Sequence, residues 1–66
     1  MDDADRVEFD NVEVLEHGDL ALRCLVGGRI VTVPPLRILA GTTVSYPGDR
    51  GRLVLPRDVA HELGLV

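Results

Sequence analysis

The sequence predicts a mainly β fold, a small antiparallel barrel or roll of about five short strands with one C-terminal α-helix. Three observations support this class. The pair Gly27-Gly28 separates two apolar runs, which is typical of a hairpin. Apolar and acidic residues alternate over residues 7–16, as in a strand. Pro56 and Gly64 are spaced to begin and to end a short helix.

The first strand is predicted at residues 7–16. Its apolar positions change parity between Phe9 and Val12, so the same face cannot stay buried along a regular strand. We therefore predict a bulge or bend at Asp10 and Asn11.

A turn at residues 17–19 leads into the hairpin, whose strands are predicted at residues 20–26 and 29–33. A two-residue turn places Val26 opposite Arg29, which fixes the register of every other pair. One face of the hairpin is then predicted to be apolar, with Leu20, Leu22, Cys24, Val31 and Val33.

Leu25 and Ile30 also face each other in this register, on the outward side near the turn. We expect them to pack under another segment or at a subunit contact. Pro34-Pro35 ends the hairpin, because proline has no backbone donor for a ladder.

The remaining elements are expected in the order of one helical turn at 36–40, a strand at 42–46, a turn-rich loop at 47–51 and an antiparallel return strand at 52–55. The C-terminal helix has Asp58 in its first turn and His61 in its last, as the helix dipole favours. Val59 and Leu63 are expected to dock on the sheet.

The chain has 66 residues, of which 45% are hydrophobic. We expect residues 1–5 to be disordered and residues 6–66 to form a single small β-rich domain. So short a chain has a marginal core. Cys24 is the only cysteine and no Cys–His cluster suggests zinc, so neither a disulfide nor a metal supports the fold. We therefore predict a homodimer or larger assembly.

Charge is unevenly distributed along the chain, whose net charge is −4. Residues 1–19 contain eight acids and one arginine, and residues 20–66 contain six arginines and three acids. The acidic first strand has two interpretations. It is a solvated edge strand whose charges prevent edge pairing, or it is a surface for a basic partner, including the arginines of a second subunit.

The overall acidity disfavours nucleic-acid binding at long range. No apolar run is long enough to span a bilayer, and the acidic N-terminus is unlike a signal peptide. We therefore predict a cytoplasmic protein with no membrane partner.

The residues give little support to catalysis. Ser45, the only serine, would need His17 or His61 beside it, and no nucleophile motif surrounds it. Cys24 is predicted on the core face, where a thiol is unreactive. The two histidines have no metal-ligand spacing, and the glycines do not form a phosphate loop. We predict no enzymatic activity, no cofactor and no metal.

Arg50, Arg52 and Arg57 form the one candidate binding cluster, for an anion or nucleic acid. Two of them flank a loop glycine and the third lies in the first turn of a predicted helix, and arginine binds phosphate or carboxylate through two parallel hydrogen bonds. The alternative is ordinary surface charge, paired with nearby acids or with those of the N-terminal strand.

The chain resembles a set of small uncharacterised bacterial β-rich proteins that have a strand-Pro motif and a C-terminal strand-Pro-helix. The matching residues are Ala21-Leu22, Gly28-Arg29, Val33-Pro34, Ile38, Val44, Gly48-Asp49, Gly51, Leu53-Val54, Pro56, Ala60 and Leu63-Gly64-Leu65. Members of that set look like accessory proteins of phages or other mobile elements, and the resemblance implies no particular activity.

The C-terminal third, GRLVLPRDVAHELGL, also resembles the core of AbrB-like transition-state regulators and antitoxins. The matches are Gly51-Arg52, Pro56-Arg57 and Leu63-Gly64. This resemblance implies a swapped-hairpin dimer that binds DNA through Arg52 and Arg57.

The sequence thus favours a non-enzymatic, oligomeric interaction module, an accessory protein carried on a mobile genetic element. The alternative is an AbrB-like DNA-binding regulator or antitoxin. The predicted partners are other copies of the chain and another protein, with DNA only under the alternative.

Overall fold

The computed structural model describes residues 5–66. Its elements are β1 (Arg6–His17), β2 (Leu22–Val26), β3 (Arg29–Val33), a 3₁₀ turn (Pro35–Arg37), β4 (Arg50–Pro56) and α1 (Arg57–Glu62). The strands are antiparallel neighbours in one open sheet of order β3-β2-β1-β4. The mainly β class with a C-terminal helix is confirmed, with four strands in the described residues where about five were predicted. Apart from Asp5, the N-terminal segment predicted to be disordered lies outside the described residues.

The predicted irregularity in the first strand is a β-bulge. Between the Phe9–Leu53 and Val12–Gly51 pairs, β1 has two residues where β4 has one. Asn11, the second of the two, has a φ of 58°, in the left-handed region. The extra residue shifts the alternation of side chains between the two faces of β1 by one position, so that Phe9 and Val12 both pack against the core.

The hairpin has the predicted register. Both turn glycines have positive φ (57° and 80°), as a type I′ turn requires. All five pairs agree with the prediction, from Val26–Arg29 beside the turn to Leu22–Val33 at the far end.

Leu20 was wrongly placed on the apolar face of this hairpin. The Gly18 N–H donates to the Ala21 carbonyl at 2.9 Å, so the preceding turn continues to Ala21 and β2 begins at Leu22. Leu20 therefore lies in the turn and is 87% exposed.

The predicted strand at 42–46 is also wrong, because this segment has no regular ladder. It runs beside β4, and the Thr43 N–H donates to the Arg52 carbonyl at 2.9 Å. The hydroxyls of Thr42 and Thr43 accept hydrogen bonds from the N–H groups of Val54 and Arg52, both at 2.9 Å. Side-chain oxygens therefore accept hydrogen bonds that backbone carbonyls accept in a regular ladder. The residue pattern of the sequence does not show this difference, so it predicted a strand here.

Residues 39–43, here called the covering segment, lie along the outer edge of β4. The Leu39 N–H donates to the Val54 carbonyl at 3.0 Å. A Cβ added to Gly41 would lie 3.4 Å from Val54 Cγ2, so the chain passes directly over that side chain. Val54 is fully buried as a result.

The main partner of β4 is β1, not the segment that precedes β4 in the chain. The ladder runs from Arg6–Pro56 to Glu13–Arg50. The Val14 N–H donates to the Asp49 carbonyl and the Gly48 N–H donates to the Val14 carbonyl, both at 2.9 Å, which extends this pairing by one further residue on β1.

The core lies between one face of the sheet, α1 and the chain that follows the 3₁₀ turn. Its buried side chains are Val12, Val14, Leu22, Cys24, Val26, Val31, Val33, Val44, Leu53, Leu55 and Val59. Leu63 and Leu65 pack against it, as expected for the C-terminal segment. No polar or charged side chain of residues 5–66 is buried.

The C-terminal helix begins one residue later than predicted, since Pro56 is its N-cap in an extended conformation. Gly64 stops it as expected, with a φ of 75°. The N–H groups of Gly64 and Leu65 donate to the carbonyls of His61 and Ala60, which is a Schellman motif. In the part of the chain that the structure describes, no helix has the length and apolar character of a membrane span.

Candidate functional site

The three candidate arginines lie along one stretch of chain but not at one point. Arg50 and Arg52 are two residues apart on β4, and their side chains lie on the same face of the sheet. This is the face opposite the core, here called the outer face. Arg57 begins α1, about 17 Å further along at the rise of an extended strand. The arrangement is a row rather than a convergent pocket.

The two strand arginines face acids of β1. Arg50 donates to Glu13 at 2.9 Å, and Arg52 Nε lies 3.6 Å from Glu8 and 3.8 Å from Asp10. These pairs are at least partly exposed, so each contributes only about 0.2–1 kcal/mol to stability. Their main consequence is electrostatic, because the positive charge of each arginine is balanced within the same chain.

The acidic first strand is internal to the sheet, so its interpretation as an edge strand is wrong. β1 lies between β2 and β4, and its acids pair with arginines of both neighbours. On the β2 side, Glu16 lies 3.7 Å from Arg23. The acids therefore lie between cross-strand arginines of the same chain on the outer face, and they do not protect a sheet edge.

An apolar concavity adjoins the end of β1. This groove, of about 410 Å³, is lined by Leu22, Ile38 and Val44 among others, with His17 and Ser45 also on its wall. Beside Ser45, Tyr46 is 67% exposed, and its ring centroid lies 5.6 Å from that of His17.

Two other exposed apolar side chains are close in sequence to residues that line the groove. Leu36 is 96% exposed and follows Pro35, a groove-lining residue. Leu20, two residues before the groove-lining Leu22, is exposed as well. The groove was not predicted from the sequence, because its walls come from segments about twenty residues apart that only the tertiary fold brings together.

His17 and Ser45 line the same groove, whereas His61 lies on α1. The nearby carboxylate, Asp49, accepts hydrogen bonds from the N–H groups of Ser45 and Tyr46, both at 2.9 Å. These bonds hold the pKa of Asp49 below its usual value, with the Tyr46 N–H the larger cause. The carboxylate thus fixes the loop, and does not orient a histidine.

Cys24 lies on β2 with its side chain in the core, as predicted, and is fully buried. Burial raises the pKa of its thiol, which disfavours the reactive thiolate. Within residues 5–66, no three His, Cys, Asp or Glu side chains are grouped to hold a metal ion.

A second groove, of about 440 Å³, lies beside the hairpin turn and the C-terminus. Phe9, Val26 and Leu65 supply its apolar surface. Arg29 crosses it and donates to the Gly64 carbonyl at 3.0 Å, which ties the start of β3 to the end of α1. The polar contact here is structural, because it satisfies a carbonyl just beyond the helix end.

No protein-family model, curated protein or solved structure matches the chain. The resemblances to small bacterial accessory proteins and to AbrB-like regulators therefore stay predictions from the sequence.

Proposed function

We propose that the protein is a non-enzymatic interaction module that works as a homo-oligomer. One observation carries the proposal, namely the amount of large apolar side chain that this small domain leaves exposed. The exposed side chains are Leu20, Ile30, Leu36, Tyr46 and Val66. Leu20, Leu36 and Tyr46 are each within two residues in sequence of a residue that lines the apolar groove, and Ile30 lies on an end strand of the sheet. Contiguous apolar exposure is typical of surfaces that bind protein.

Two side chains with catalytic potential, those of Cys24 and Asp49, have structural roles, which supports a binding role for the domain. Cys24 is committed to the core, and Asp49 is committed to backbone N–H groups of its own loop. Each has a structural role in the domain, which is the pattern of a scaffold rather than of a reaction centre.

The ion pairs of Arg50 and Arg52 give no support to the DNA-binding alternative, because each arginine already faces an acid of β1. Anion or DNA binding by the cluster with Arg57 stays a prediction, as does carriage on a mobile genetic element.

Analytical ultracentrifugation of the purified chain tests the proposal, over concentrations from about 1 μM to about 200 μM. We expect the weight-average mass to rise from monomer toward dimer or a larger species across this range. A monomer mass at every concentration would contradict the proposal. Because the candidate contact is apolar, the assembly should persist in about 0.5 M NaCl, where exposed ion pairs are screened.

A further inference from the structure

Within residues 5–66, the strand β3 has a paired strand on one side only, namely β2. The two-glycine turn is closed by a hydrogen bond between Val26 and Arg29, and hydrogen-bonded pairs alternate with non-hydrogen-bonded pairs along the ladder. The backbone N–H and C=O groups of Ile30 and Thr32 therefore point away from β2. No hydrogen bond from elsewhere in residues 5–66 reaches them.

The opposite edge of the sheet, formed by β4, has paired backbone groups. On the outer edge of β4, the N–H groups of Arg52 and Val54 donate to the hydroxyls of Thr43 and Thr42. The carbonyls of the same two β4 residues accept from the backbone N–H groups of Thr43 and Leu39. The covering segment thus satisfies the β4 edge of the sheet, whereas no segment of the described residues covers the β3 edge.

The bare edge has few of the features that prevent strands from pairing. β3 reads Arg-Ile-Val-Thr-Val, four of whose five residues are β-branched, and its register with β2 has no bulge. Ile30 is 61% exposed on the outer face. The acids that could repel a partner lie on the internal strand β1. A regular, apolar, unpaired edge favours the addition of another strand.

We propose that β3 pairs antiparallel with β3 of a second copy, about a twofold axis that passes beside Val31. The two four-stranded sheets then form one continuous sheet of eight strands. This inference rests on the proposed self-association and assigns its interface to the β3 edge instead of the groove.

The outward N–H and C=O groups of Ile30 and Thr32 determine the register of the proposed β3–β3 pairing. With Ile30 opposite Thr32 of the second copy, both outward residues of each strand exchange two hydrogen bonds, giving four in all. A shift by two residues in one direction places Ile30 opposite Pro34, which has no N–H. A shift in the other direction places Thr32 opposite Gly28, whose φ of 80° belongs to the turn. Only the register with Ile30 opposite Thr32 pairs all the outward N–H and C=O groups of both strands.

A charge placed at the interface tests the proposal against a matched control. Ile30→Lys puts like charges on both copies across the axis, and should weaken dimerisation by at least about tenfold in ultracentrifugation. Leu36→Lys makes the same charge change at an exposed leucine outside β3, and should leave the dissociation constant within about twofold of wild type. Circular dichroism confirms that both variants are folded.

Disulfide trapping tests the register. In the proposed pairing, Val31 faces its own copy in a non-hydrogen-bonded pair with Cα atoms about 4.5 Å apart, within disulfide reach. The two Thr32 residues are diagonal neighbours at about 7–8 Å, beyond that reach. Both variants are made together with Cys24→Ala, because Cys24 lies directly opposite Val31 on β2 and would otherwise compete for an intrachain disulfide. In this background, Val31→Cys should give a covalent dimer on mild oxidation and Thr32→Cys should not.

The outcomes separate the interface from the function. A wild-type chain that is monomeric throughout overturns the proposed function and this interface with it. A wild-type dimer that Ile30→Lys leaves intact, or that Leu36→Lys dissociates, overturns the β3 interface and leaves self-association standing. Efficient cross-linking of the Thr32→Cys variant without that of Val31→Cys overturns the proposed register.

Discussion

Asn11 is the residue on which the geometry of β1 depends. Its φ of 58° is a conformation that asparagine tolerates better than most residues with a side chain. The bulge at this position returns the apolar positions of β1 to the core side after Phe9. The change of parity in the sequence was sufficient to locate it, because a strand buried on one face cannot change parity without an extra residue.

Replacing Asn11 tests this assignment. Asn11→Val should lower the free energy of unfolding by about 1–2 kcal/mol, because a β-branched residue is strained at positive φ. Asn11→Gly is the matched control and should be as stable as wild type, since glycine adopts this conformation freely. Urea unfolding followed by circular dichroism measures both. Equal stability of the valine and glycine variants would show that the left-handed conformation is not required.

The arginines show the limit of local reasoning at the residue scale. The sequence indicated where they lie, and even suggested the N-terminal acids as partners. It could not establish that Arg50 meets Glu13, 37 residues earlier, because that contact depends on β4 pairing with β1. A row of arginines close in sequence therefore looked more like a binding site than the fold makes it.

Among the elements, those set by local chemistry were predicted well. The hairpin register follows from two glycines, and the helix stop follows from Gly64. The covering segment was predicted wrongly, with Thr42 and Thr43 placed in a strand, because the sequence does not show that threonine hydroxyls replace part of the ladder there. The groove was missed for a related reason, because its walls meet only in the tertiary structure.

The covering segment offers a paired test of edge protection. Thr42→Val removes the acceptor of the buried Val54 N–H and should cost about 1–3 kcal/mol, as expected for an unsatisfied buried donor. Thr43→Val removes the acceptor of the Arg52 N–H, which is exposed and can bind water, so its cost should be smaller. Both substitutions keep the side-chain shape, and urea unfolding compares them. A larger loss for Thr43→Val would contradict the proposed role of burial.

At the scale of the whole molecule, size and edges act together. A domain of this length has a marginal core, and its sheet has one edge covered and one bare. Pairing through the bare edge would add stability that the single chain lacks. The length and the single cysteine predicted self-association, but the edge through which we propose it was identified only once the strand order was known.

Thermal unfolding should therefore depend on concentration. Above the dissociation constant, each tenfold rise in wild-type concentration should raise Tm by about 3–5 °C, because unfolding then includes dissociation. The Ile30→Lys variant should show a Tm that does not change with concentration. Differential scanning fluorimetry over two decades of concentration measures both slopes, and a flat wild-type curve would speak against coupled assembly.

The burial of Cys24 gives the protein a built-in reporter of its own opening. The sulfur lies at the centre of β2, an internal strand, with no exposed surface. A thiol-specific reagent can reach it only when the packing around the core opens. The rate at which the unmodified chain is labelled thus measures how often its interior is exposed to solvent, without any added probe.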